Sequence, residues 1–322
     1  MTTAEVATLG EVLVGLVAQE GGPLADVAVF RRHVVGAESN VAIGLARLGR
    51  SVAFVGRVGA DGFGLAALRR MRAEGVDVTF VQTDANAPTG LLVRENRRLG
   101  QSQVIYHRRG SAGSRLGPAD VAAAAGVLRN SRWIHLSGIT PGLSNSAREA
   151  VEAAIALGIE AKVTISFDVN LRRRLWSDTE ATRVLAPLAR QASIILGDAA
   201  ELNLIAGTTD PRAAVDVLLG AGVKLVVEKR GAAGARAFDG TGLVAEVPAI
   251  ALPAVVDPVG AGDAFCAGLI AARLESRDLF EALRWGIGCA AAALSTEGDI
   301  EGLPNRAELD RLLVDAAVDT IR

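Results

Sequence analysis

The segment DPVGAGDAFCAG, residues 257–268, places one carboxylate, Asp263, behind a Gly-Ala-Gly turn at the start of an apolar helical run. Unpaired N–H groups and the positive end of the helix dipole attract phosphate oxygens to such a helix start. Gly260 and Gly262 lack the side chains that would keep a phosphate from the backbone. A carboxylate repels phosphate, so its presence is explained if it accepts the proton of a hydroxyl that attacks that phosphate. The alternative is an ordinary glycine-rich turn with Asp263 as a helix cap.

A second helix start, within VVGAESNVAIGLARLG at residues 34–49, carries polar groups suited to a polyhydroxylated ligand. Gly36 ends an extended segment, and Asn40 falls in the first helical turn, where its amide can both donate and accept hydrogen bonds. Capping of the helix is the alternative role for Asn40. The pattern therefore indicates either a sugar contact or a cap.

Arginines beside a tyrosine indicate binding of a sugar acid. In IYHRRGSAGSRL, residues 105–116, Tyr106 and Arg108 fall on one side of an extended strand because side chains repeat with a period of two. A guanidinium binds a carboxylate through two parallel hydrogen bonds. Arg172, nearest the strand end in FDVNLRRRLW at residues 167–176, is a further candidate ligand. A solvated strand face and a solvated charge run are the alternatives.

Two further groups of residues have the chemistry to bind a nucleotide. Asp198 and Glu201 lie three residues apart at a helix start, where they could hold water-bound Mg²⁺ near phosphates or form a capping pair. A basic, glycine-rich group follows a strand-like run and either contacts phosphates or forms a hairpin. Its members are Lys229, Arg230, Gly231 and Gly234.

Strand-like and helical runs alternate regularly along the chain. The strand-like runs are residues 51–59, 132–138, 162–170, 193–197 and 224–231, and the helical runs after the first four are 64–74, 145–157, 179–190 and 198–206. This alternation predicts an α/β fold, with a parallel sheet covered by helices on both faces. Ligands of such sheets bind beyond the carboxyl ends of the strands. An extended stretch is also expected at residues 252–256.

Two stretches, about 11–35 and about 88–112, interrupt the alternation with β-forming residues and turns. Paired together they predict a small separate sheet over the ligand site, a lid that excludes water during group transfer. Two unrelated surface hairpins are the alternative. Residues 1–322 are expected to form a single domain with this lid, because no repeat, low-complexity tract or proline-rich linker divides the chain.

Composition favours small-molecule chemistry. The chain has 322 residues, half of them hydrophobic, and a net charge of −2, so it lacks the positive field expected of a nucleic-acid or anionic-membrane partner. The amino terminus shows no secretory signal and the longest apolar run, 285–294, is too short to span a bilayer, which predicts a cytoplasmic protein. Cys266 and Cys289 are expected to be buried thiols, and the spacing of the histidines gives no reason to expect a structural metal.

Taken together, these motifs resemble the ribokinase-like sugar kinases, also called the phosphofructokinase B family. The resemblance covers nearly the whole chain, from GEVLVGLVAQ through VGAESN, GRVGADGFG and KRGAAGA to DPVGAGDAFCAG. Within the family, GEVLVGLVAQE, YHRRGSAGSRL, HLSGITPGLS and FDVNLRRRLW look most like 2-keto-3-deoxygluconate kinases, which transfer the γ-phosphoryl group of ATP to the terminal hydroxyl. The resemblance implies a three-layer αβα sandwich with a mostly parallel central sheet and a small β-sheet lid. It also implies ATP and Mg²⁺ as cofactors and a homo-oligomer formed through the lid.

The resemblance also implies a role for each candidate residue. Asp263 would be the general base, and the backbone of Gly260, Ala261 and Gly262 would form the anion hole. The residues implied to bind the keto acid are Gly36, Asn40, Tyr106, Arg108, Arg172 and Asp263. Those implied to bind the nucleotide are Asp198, Lys229, Arg230, Gly231, Gly234, Gly260 and Gly262. Glu201 would bind Mg²⁺ through water, and Asp257 would help to bind a monovalent cation such as K⁺.

Four positions depart from the pattern of the keto-acid kinases. Val35 replaces an expected glycine, Leu92 and Leu171 replace tyrosines, and Asp198 replaces an asparagine. These changes remove hydroxyl contacts but leave the arginines and the transfer machinery intact. A kinase of a neutral sugar such as ribose or fructose is therefore the enzymatic alternative, although two arginines facing a neutral sugar would be unpaired. A non-catalytic sugar-binding regulator on the same fold is the other alternative.

Overall fold

The alternation of strands and helices expected from the sequence is present in the computed structural model, which describes residues 4–96 and 103–319. The strands are β1 (Val6–Gly10), β2 (Leu13–Gly21), β3 (Phe30–Val35), β4 (Val52–Gly59), β5 (Val81–Asp84), β6 (Leu91–Asn96), β7 (Val104–His107), β8 (Trp133–Ser137), β9 (Thr164–Asp168), β10 (Ile194–Gly197), β11 (Leu225–Lys229), β12 (Ala235–Asp239) and β13 (Gly242–Val247). The helices are α1 (Ala37–Arg47), α2 (Gly62–Ala73), α3 (Pro118–Ala123), α4 (Ala125–Asn130), α5 (Asn145–Glu160), α6 (Asp178–Ala189), α7 (Ala199–Ala206), α8 (Pro211–Gly220), α9 (Ala261–Leu274), α10 (Leu279–Leu294) and α11 (Arg306–Asp319). Short 3₁₀ turns lie at Leu24–Asp26, Gly113–Arg115, Thr140–Gly142 and Gly231–Ala233.

The central sheet is mostly parallel, as expected. Across the described parts of the chain its strand order is β13-β12-β11-β10-β9-β8-β1-β4-β5. Neighbours from β11 to β5 run parallel, and β12 and β13 add an antiparallel hairpin at one edge. Parallel neighbours need long crossover connections, which the helices supply. The carboxyl ends of the parallel strands consequently share one edge of the sheet.

Both faces of this sheet are buried. In β10, Ile194 and Leu196 join a hydrophobic cluster with residues of α1, α9 and α10. The intervening Ile195 joins a second cluster, with residues of α5 and α6. A continuous apolar run can serve both clusters because successive side chains of a strand point to opposite faces. The expected three-layer arrangement of helix, sheet and helix is thereby confirmed.

A second, smaller sheet has the strand order β3-β2-β6-β7 among the residues described. β2 pairs antiparallel with β3 and parallel with β6, and β6 pairs antiparallel with β7. Its strands fall within the two stretches that interrupt the alternation in the sequence. Because β6 joins β2 rather than following it in a hairpin, the two stretches form one sheet.

Two other expectations can be compared with the structure. The segment at 252–256, expected to be extended, lies in a stretch from 248 to 258 that is neither helix nor strand. Pro248 and Pro253 have no N–H group to donate to a strand ladder. Cys266 and Cys289 are buried free thiols, as expected. None of the helices described within residues 4–96 and 103–319 is long and apolar enough to cross a membrane.

Candidate active site

The carboxylate of Asp263 lies in the first turn of α9 and is 7% exposed. The turn formed by residues 260–262, here called the anion-hole turn, leads into this helix. Gly260 has a φ of 77°, and a Cβ at this position would lie 2.6 Å from the backbone oxygen of Asp299, so only glycine fits. The first N–H groups of α9 have no partner within the helix, which leaves them available to an anion.

Burial raises the pKa of Asp263 to about 7. The hydrogen bond from Asn40 and the charge of Arg172 oppose this increase, while the nearby carboxylates of Asp168 and Asp299 add to it. A carboxyl group with a pKa close to neutral pH is suited to accept a proton during catalysis. The environment of Asp263 therefore differs from that of an exposed helix cap, whose carboxylate would stay ionised.

Asn40 connects two carboxylates at this centre. Its Nδ2 donates to Oδ2 of Asp263 at 2.8 Å and to Oδ2 of Asp299 at 3.1 Å. Its Oδ1 is buried and accepts no hydrogen bond from the described residues, so it is available to a ligand hydroxyl. Gly36 precedes α1 with a φ of 142°, and a Cβ there would lie 2.4 Å from the backbone oxygen of Glu11. Gly36 thus lets the backbone approach closely where α1 begins.

A cavity of about 540 Å³, here called the arginine cleft, brings together Tyr106, Arg108 and Arg172. The guanidinium of Arg108 lies 5.5 Å from the centroid of the Tyr106 ring, consistent with the expected placement on one side of the strand. Arg109 and Leu171 also line the cleft. The concentration of guanidinium groups makes the cleft suited to an anionic ligand.

The arginines of the cleft differ in their pairing. Arg108 donates from Nε to Oε2 of Glu11 at 2.7 Å, and its Nη2 lies 2.6 Å from the same oxygen. Glu11 is 1% exposed and also accepts a hydrogen bond from the hydroxyl of Ser111. Arg109 and Arg172, by contrast, have no carboxylate partner in the part of the chain that the structure describes. The cleft therefore keeps positive charge that its own side chains do not neutralise.

A smaller cavity of about 200 Å³, here called the apolar cleft, is lined by five of the seven residues expected to bind nucleotide; Asp198 and Gly260 do not line it. Its lining comprises Lys229, Arg230, Gly231, Gly234, Ala249, Ile250, Ala261, Gly262, Phe265, Ile287, Ala290, Ala291 and Leu294. Ala261 and Gly262 belong to the anion-hole turn, so the cleft leads directly to it. Its apolar walls suit a flat heterocyclic base, with the phosphates towards the turn.

Lys229 forms an ion pair that the sequence analysis did not predict. Its Nζ lies 2.7 Å and 2.9 Å from the two carboxylate oxygens of Asp168, the last residue of β9. Burial lowers the pKa of Lys229, but the charges of Asp168, Cys266 and Glu201 together with the hydrogen bond to Asp168 outweigh this and raise it above its usual value. A Cβ placed on Gly262 would lie 3.6 Å from Nζ. The charged ammonium therefore sits between Asp168 and the anion-hole turn.

Asp198 and Glu201 form a reciprocal cap at the start of α7. The Asp198 carboxylate accepts the N–H of Glu201 at 2.8 Å, and the Glu201 carboxylate accepts the N–H groups of Asp198 at 2.9 Å and Leu171 at 2.7 Å. Burial and the charge of Asp168 raise the pKa of Glu201. No group of three metal-ligating side chains occurs among the described residues. The pair fits Mg²⁺ only through water and the phosphates of a nucleotide, as expected for this reluctantly dehydrated ion.

Asp257 does not fit a cation. Its two carboxylate oxygens accept hydrogen bonds from the guanidinium of Arg94 in β6, at 3.0 Å and 2.6 Å. A monovalent cation needs oxygen lone pairs, and this carboxylate already faces a positive charge. Its expected role in a K⁺ site stays a prediction, and the bidentate contact with Arg94 argues against it.

Sequence reasoning missed the partners of these groups. Glu11 directly follows β1 and Asp168 is the last residue of β9, so the position of each at the carboxyl end of a strand was a usable signal. Asp299 lies in an irregular loop, and Arg94 lies in a strand with no motif of its own. No pattern in the sequence pointed to either of them.

Comparisons with known proteins agree with this architecture. The model of the pfkB family of carbohydrate kinases matches residues 3–306. Among relatives, the 2-dehydro-3-deoxygluconokinase of Thermoproteus tenax is 37% identical over 95% of this chain and 93% of its own length.

Two solved structures are also similar to this chain. A protein of E. coli assigned as a ribokinase II, in complex with ATP and Mg²⁺, has a TM-score of 0.90 and 27% identity, covering 97% of this chain and 99% of that one. A double mutant of fructokinase from Vibrio cholerae, bound to fructose, ADP and a potassium ion, has a TM-score of 0.83 and 27% identity, covering 97% of this chain and all of that one. With the family model matching nearly the whole length, the chain belongs to the pfkB family of carbohydrate kinases.

Proposed function

We propose that this carbohydrate kinase phosphorylates the terminal hydroxyl of 2-keto-3-deoxygluconate, giving 2-keto-3-deoxy-6-phosphogluconate and ADP. The observation that carries the proposal is the arginine cleft, in which Arg109 and Arg172 have no carboxylate partner among the described residues. The charge of Arg172 also acts on Asp263, so cleft and base are neighbours. A sugar acid would bring the carboxylate that the cleft lacks, and the relative from Thermoproteus tenax is named for such a substrate.

Asp263 is the proposed general base. As the terminal hydroxyl oxygen forms a bond to the γ-phosphorus, the bond to the ADP oxygen breaks and the hydroxyl proton passes to the Asp263 carboxylate. The backbone N–H groups of Gly260, Ala261 and Gly262 would stabilise the charge on the transferred group. Asn40 and Gly36 would orient the sugar, with Tyr106, Arg108 and Arg172 contacting its acid end.

The nucleotide is proposed to lie in the apolar cleft, along Lys229, Arg230, Gly231 and Gly234. Bound Mg²⁺ would neutralise charge on the phosphates. Glu201, whose carboxylate is fixed by the N–H groups of Leu171 and Asp198, would hold water molecules of this Mg²⁺. The similar E. coli structure with ATP and Mg²⁺ supports this pair of cofactors.

The smaller sheet is proposed to act as a lid within a single domain spanning residues 1–322. Tyr106 in β7 and Arg108 just after it would bring the sheet onto the substrate and exclude water from the transfer. Its outer face would also form the contact between subunits of a homo-oligomer. Size measurements on a variant with charged substitutions in β3 would test the oligomer separately from catalysis.

A substrate panel tests the main proposal. We expect kcat/KM for 2-keto-3-deoxygluconate to exceed that for fructose, a six-carbon ketose without a carboxylate, by about 10²-fold or more. Arg172→Met should remove most of this preference. Arg183→Met, which changes an exposed arginine on α6, should leave the preference unchanged. Release of ADP should be quantified by chromatography and the phosphorylated position identified by ³¹P NMR.

The panel also decides between the alternatives. Equal or better turnover of fructose would reject the carboxylate assignment and favour a neutral-sugar kinase. Two observations support that alternative: leucines at 92 and 171 in place of tyrosines, and the similar fructokinase structure. Sugar binding without ADP formation for any member would favour a regulator. The buried, near-neutral carboxyl group of Asp263 speaks against that outcome, because a binding protein has no use for a base.

A further inference from the structure

The loop before α9 contains a carboxylate whose hydrogen-bonding capacity is filled. Oδ1 of Asp257 accepts from Nη1 of Arg94 at 3.0 Å and from the N–H of Val259 at 3.1 Å. Oδ2 accepts from Nη2 of Arg94 at 2.6 Å and from the N–H of Gly298 at 3.1 Å. A carboxylate offers about four lone-pair positions, and all four are used here. A cation could bind Asp257 only by displacing Arg94.

The Arg94 guanidinium is well placed to resist displacement. Its side chain is 13% exposed and that of Asp257 is 5% exposed, so water screens the pair weakly. The contact is bidentate, which matches the planar fork of a guanidinium to a carboxylate. An arginine also stays charged at every pH at which an enzyme works. Arg94 therefore supplies a permanent positive charge that balances the Asp257 carboxylate at this loop.

The same contact links the smaller sheet to the anion-hole turn. Arg94 lies in β6, whereas Asp257 lies three residues before Gly260. Asp257 also holds the N–H of Gly298, and Gly260 packs against the backbone of Asp299. A second contact from the same sheet joins Nδ1 of His33 in β3 to Oε1 of Glu301 at 3.0 Å. Loops on either side of the turn are thus fixed to one sheet.

We propose that Arg94 takes the place of a monovalent cation in this chain, neutralising Asp257 and fixing the loop before the anion-hole turn, so that phosphoryl transfer needs no K⁺. The inference rests on the proposed kinase function and departs from the monovalent-cation site at Asp257 that the family resemblance implied. The guanidinium comes from the protein itself. Ordering of the turn is therefore coupled to the position of β6 rather than to the ionic composition of the medium.

The experiment compares initial rates at constant ionic strength in KCl, NaCl and tetramethylammonium chloride. ADP should be measured by chromatography, so that no coupling enzyme with its own cation requirement is present. We expect the parent rates in the three salts to agree within about twofold. Arg94→Met should lose about tenfold or more in tetramethylammonium chloride and recover much of that loss in KCl, because K⁺ can then reach Asp257.

Two further variants make the result specific. Arg183→Met, which changes an exposed arginine on α6, should behave like the parent in every salt. Arg94→Met combined with Asp257→Asn has no carboxylate charge to neutralise, so its rate should not respond to KCl. Stimulation of the parent by KCl of about tenfold, or an Arg94→Met variant with the parental rate in tetramethylammonium chloride, would overturn the inference.

Thermal unfolding in the same salts gives a readout that does not depend on activity. The parent should unfold at the same temperature in KCl and tetramethylammonium chloride, whereas Arg94→Met should be stabilised by KCl alone. If no sugar is phosphorylated in any salt but this K⁺-specific stabilisation appears, the proposed function fails and the role of Arg94 stands. If the parent is active and is stabilised by KCl over tetramethylammonium, the role of Arg94 fails and the function stands.

Discussion

The amide of Asn40 donates a 2.8 Å hydrogen bond to the carboxylate of Asp263, and both side chains are buried. The two residues are 223 positions apart in the chain and meet where α1 and α9 begin. This bond favours the ionised carboxylate and opposes the larger effect of burial. Asn40 therefore adjusts the proton affinity of the group that would accept the hydroxyl proton.

Replacing Asp263 tests the base directly. Asp263→Asn keeps the size of the side chain and can still accept the hydrogen bond from Asn40, but it cannot take a proton. We expect kcat to fall on the order of 10²–10⁴-fold while binding of sugar and ATP is retained. Binding should be measured by calorimetry beside the rates. A variant with parental kcat would contradict the assignment of Asp263 as the base.

The pH dependence of the parent should follow the same carboxyl group. With a pKa of about 7, Asp263 is protonated and inactive at acidic pH, so kcat/KM should rise through this value and level off above it. In Asn40→Ala the hydrogen bond that lowers the pKa is lost. The rising limb should therefore move to higher pH. A profile in this variant that moves to lower pH, or does not move, would show that Asn40 does not act through Asp263.

The layered architecture could be predicted because it is encoded locally. A run such as Ile194-Ile195-Leu196 needs apolar surroundings on both faces, which a sheet between two helical layers provides. The edge hairpin of β12 and β13 was not predicted, although the turn at residues 239–242 reads Asp-Gly-Thr-Gly, which is rich in turn-forming residues. The composition of residues 252–256 predicts an extended segment, but no strand forms there. Whether a segment joins a sheet depends on a free neighbouring strand, which composition does not reveal.

The charge pairs of the site could not be predicted because they are set by the tertiary fold. Arg108 was correctly expected beside Tyr106, but its partner Glu11 is 97 residues away. Arg94 and Asp257 are separated by 163 residues. Arg94 lies in the smaller sheet, whereas Asp257 lies in the loop between β13 of the central sheet and α9. An arginine in a sequence shows its charge. The sequence does not show whether that arginine already forms an ion pair with a carboxylate of the same chain.

Glu11 is expected to act by positioning Arg108. In Glu11→Gln the side chain keeps its shape, but the carboxylate that accepts hydrogen bonds from Arg108 and Ser111 is lost. KM for the sugar acid should rise about tenfold, since a guanidinium without a fixed orientation binds a carboxylate less well. KM for ATP should not change, because the apolar cleft is lined by other residues. An equal rise in both KM values would instead indicate a general loss of structure.

The ion pair of Lys229 and Asp168 should show strong coupling in stability. Lys229→Met leaves the Asp168 carboxylate buried without its counter-charge, and we expect a loss of about 3–5 kcal/mol in the free energy of unfolding. Adding Asp168→Asn removes the stranded charge, so the double variant should be more stable than Lys229→Met alone. Urea unfolding of the parent, both single variants and the double variant measures the coupling energy. Additive losses would show that the pair contributes no coupling.

The raised pKa of Asp263 also predicts a cost in stability that depends on pH. The folded protein holds the Asp263 proton up to a pH of about 7. The unfolded chain releases the same proton near its ordinary pKa of about 4. Between these values the folded state binds more protons, so this group lowers the free energy of unfolding as pH rises through the window, and the cost is constant above it.

Asp263→Asn has no charge to bury and should escape this cost. We expect it to be more stable than the parent by on the order of 2–4 kcal/mol at pH 8, since each pKa unit corresponds to about 1.4 kcal/mol. The difference should shrink as pH falls and vanish near pH 4, where the parent carboxyl group is protonated in both states. Asp216→Asn, an exposed acid on α8, should give a small difference that does not follow this trend. Urea unfolding from pH 4 to 8 measures both variants, and a stability gain for Asp263→Asn that is equal at both ends would contradict the assigned proton affinity, because only a titrating group makes the gain depend on pH.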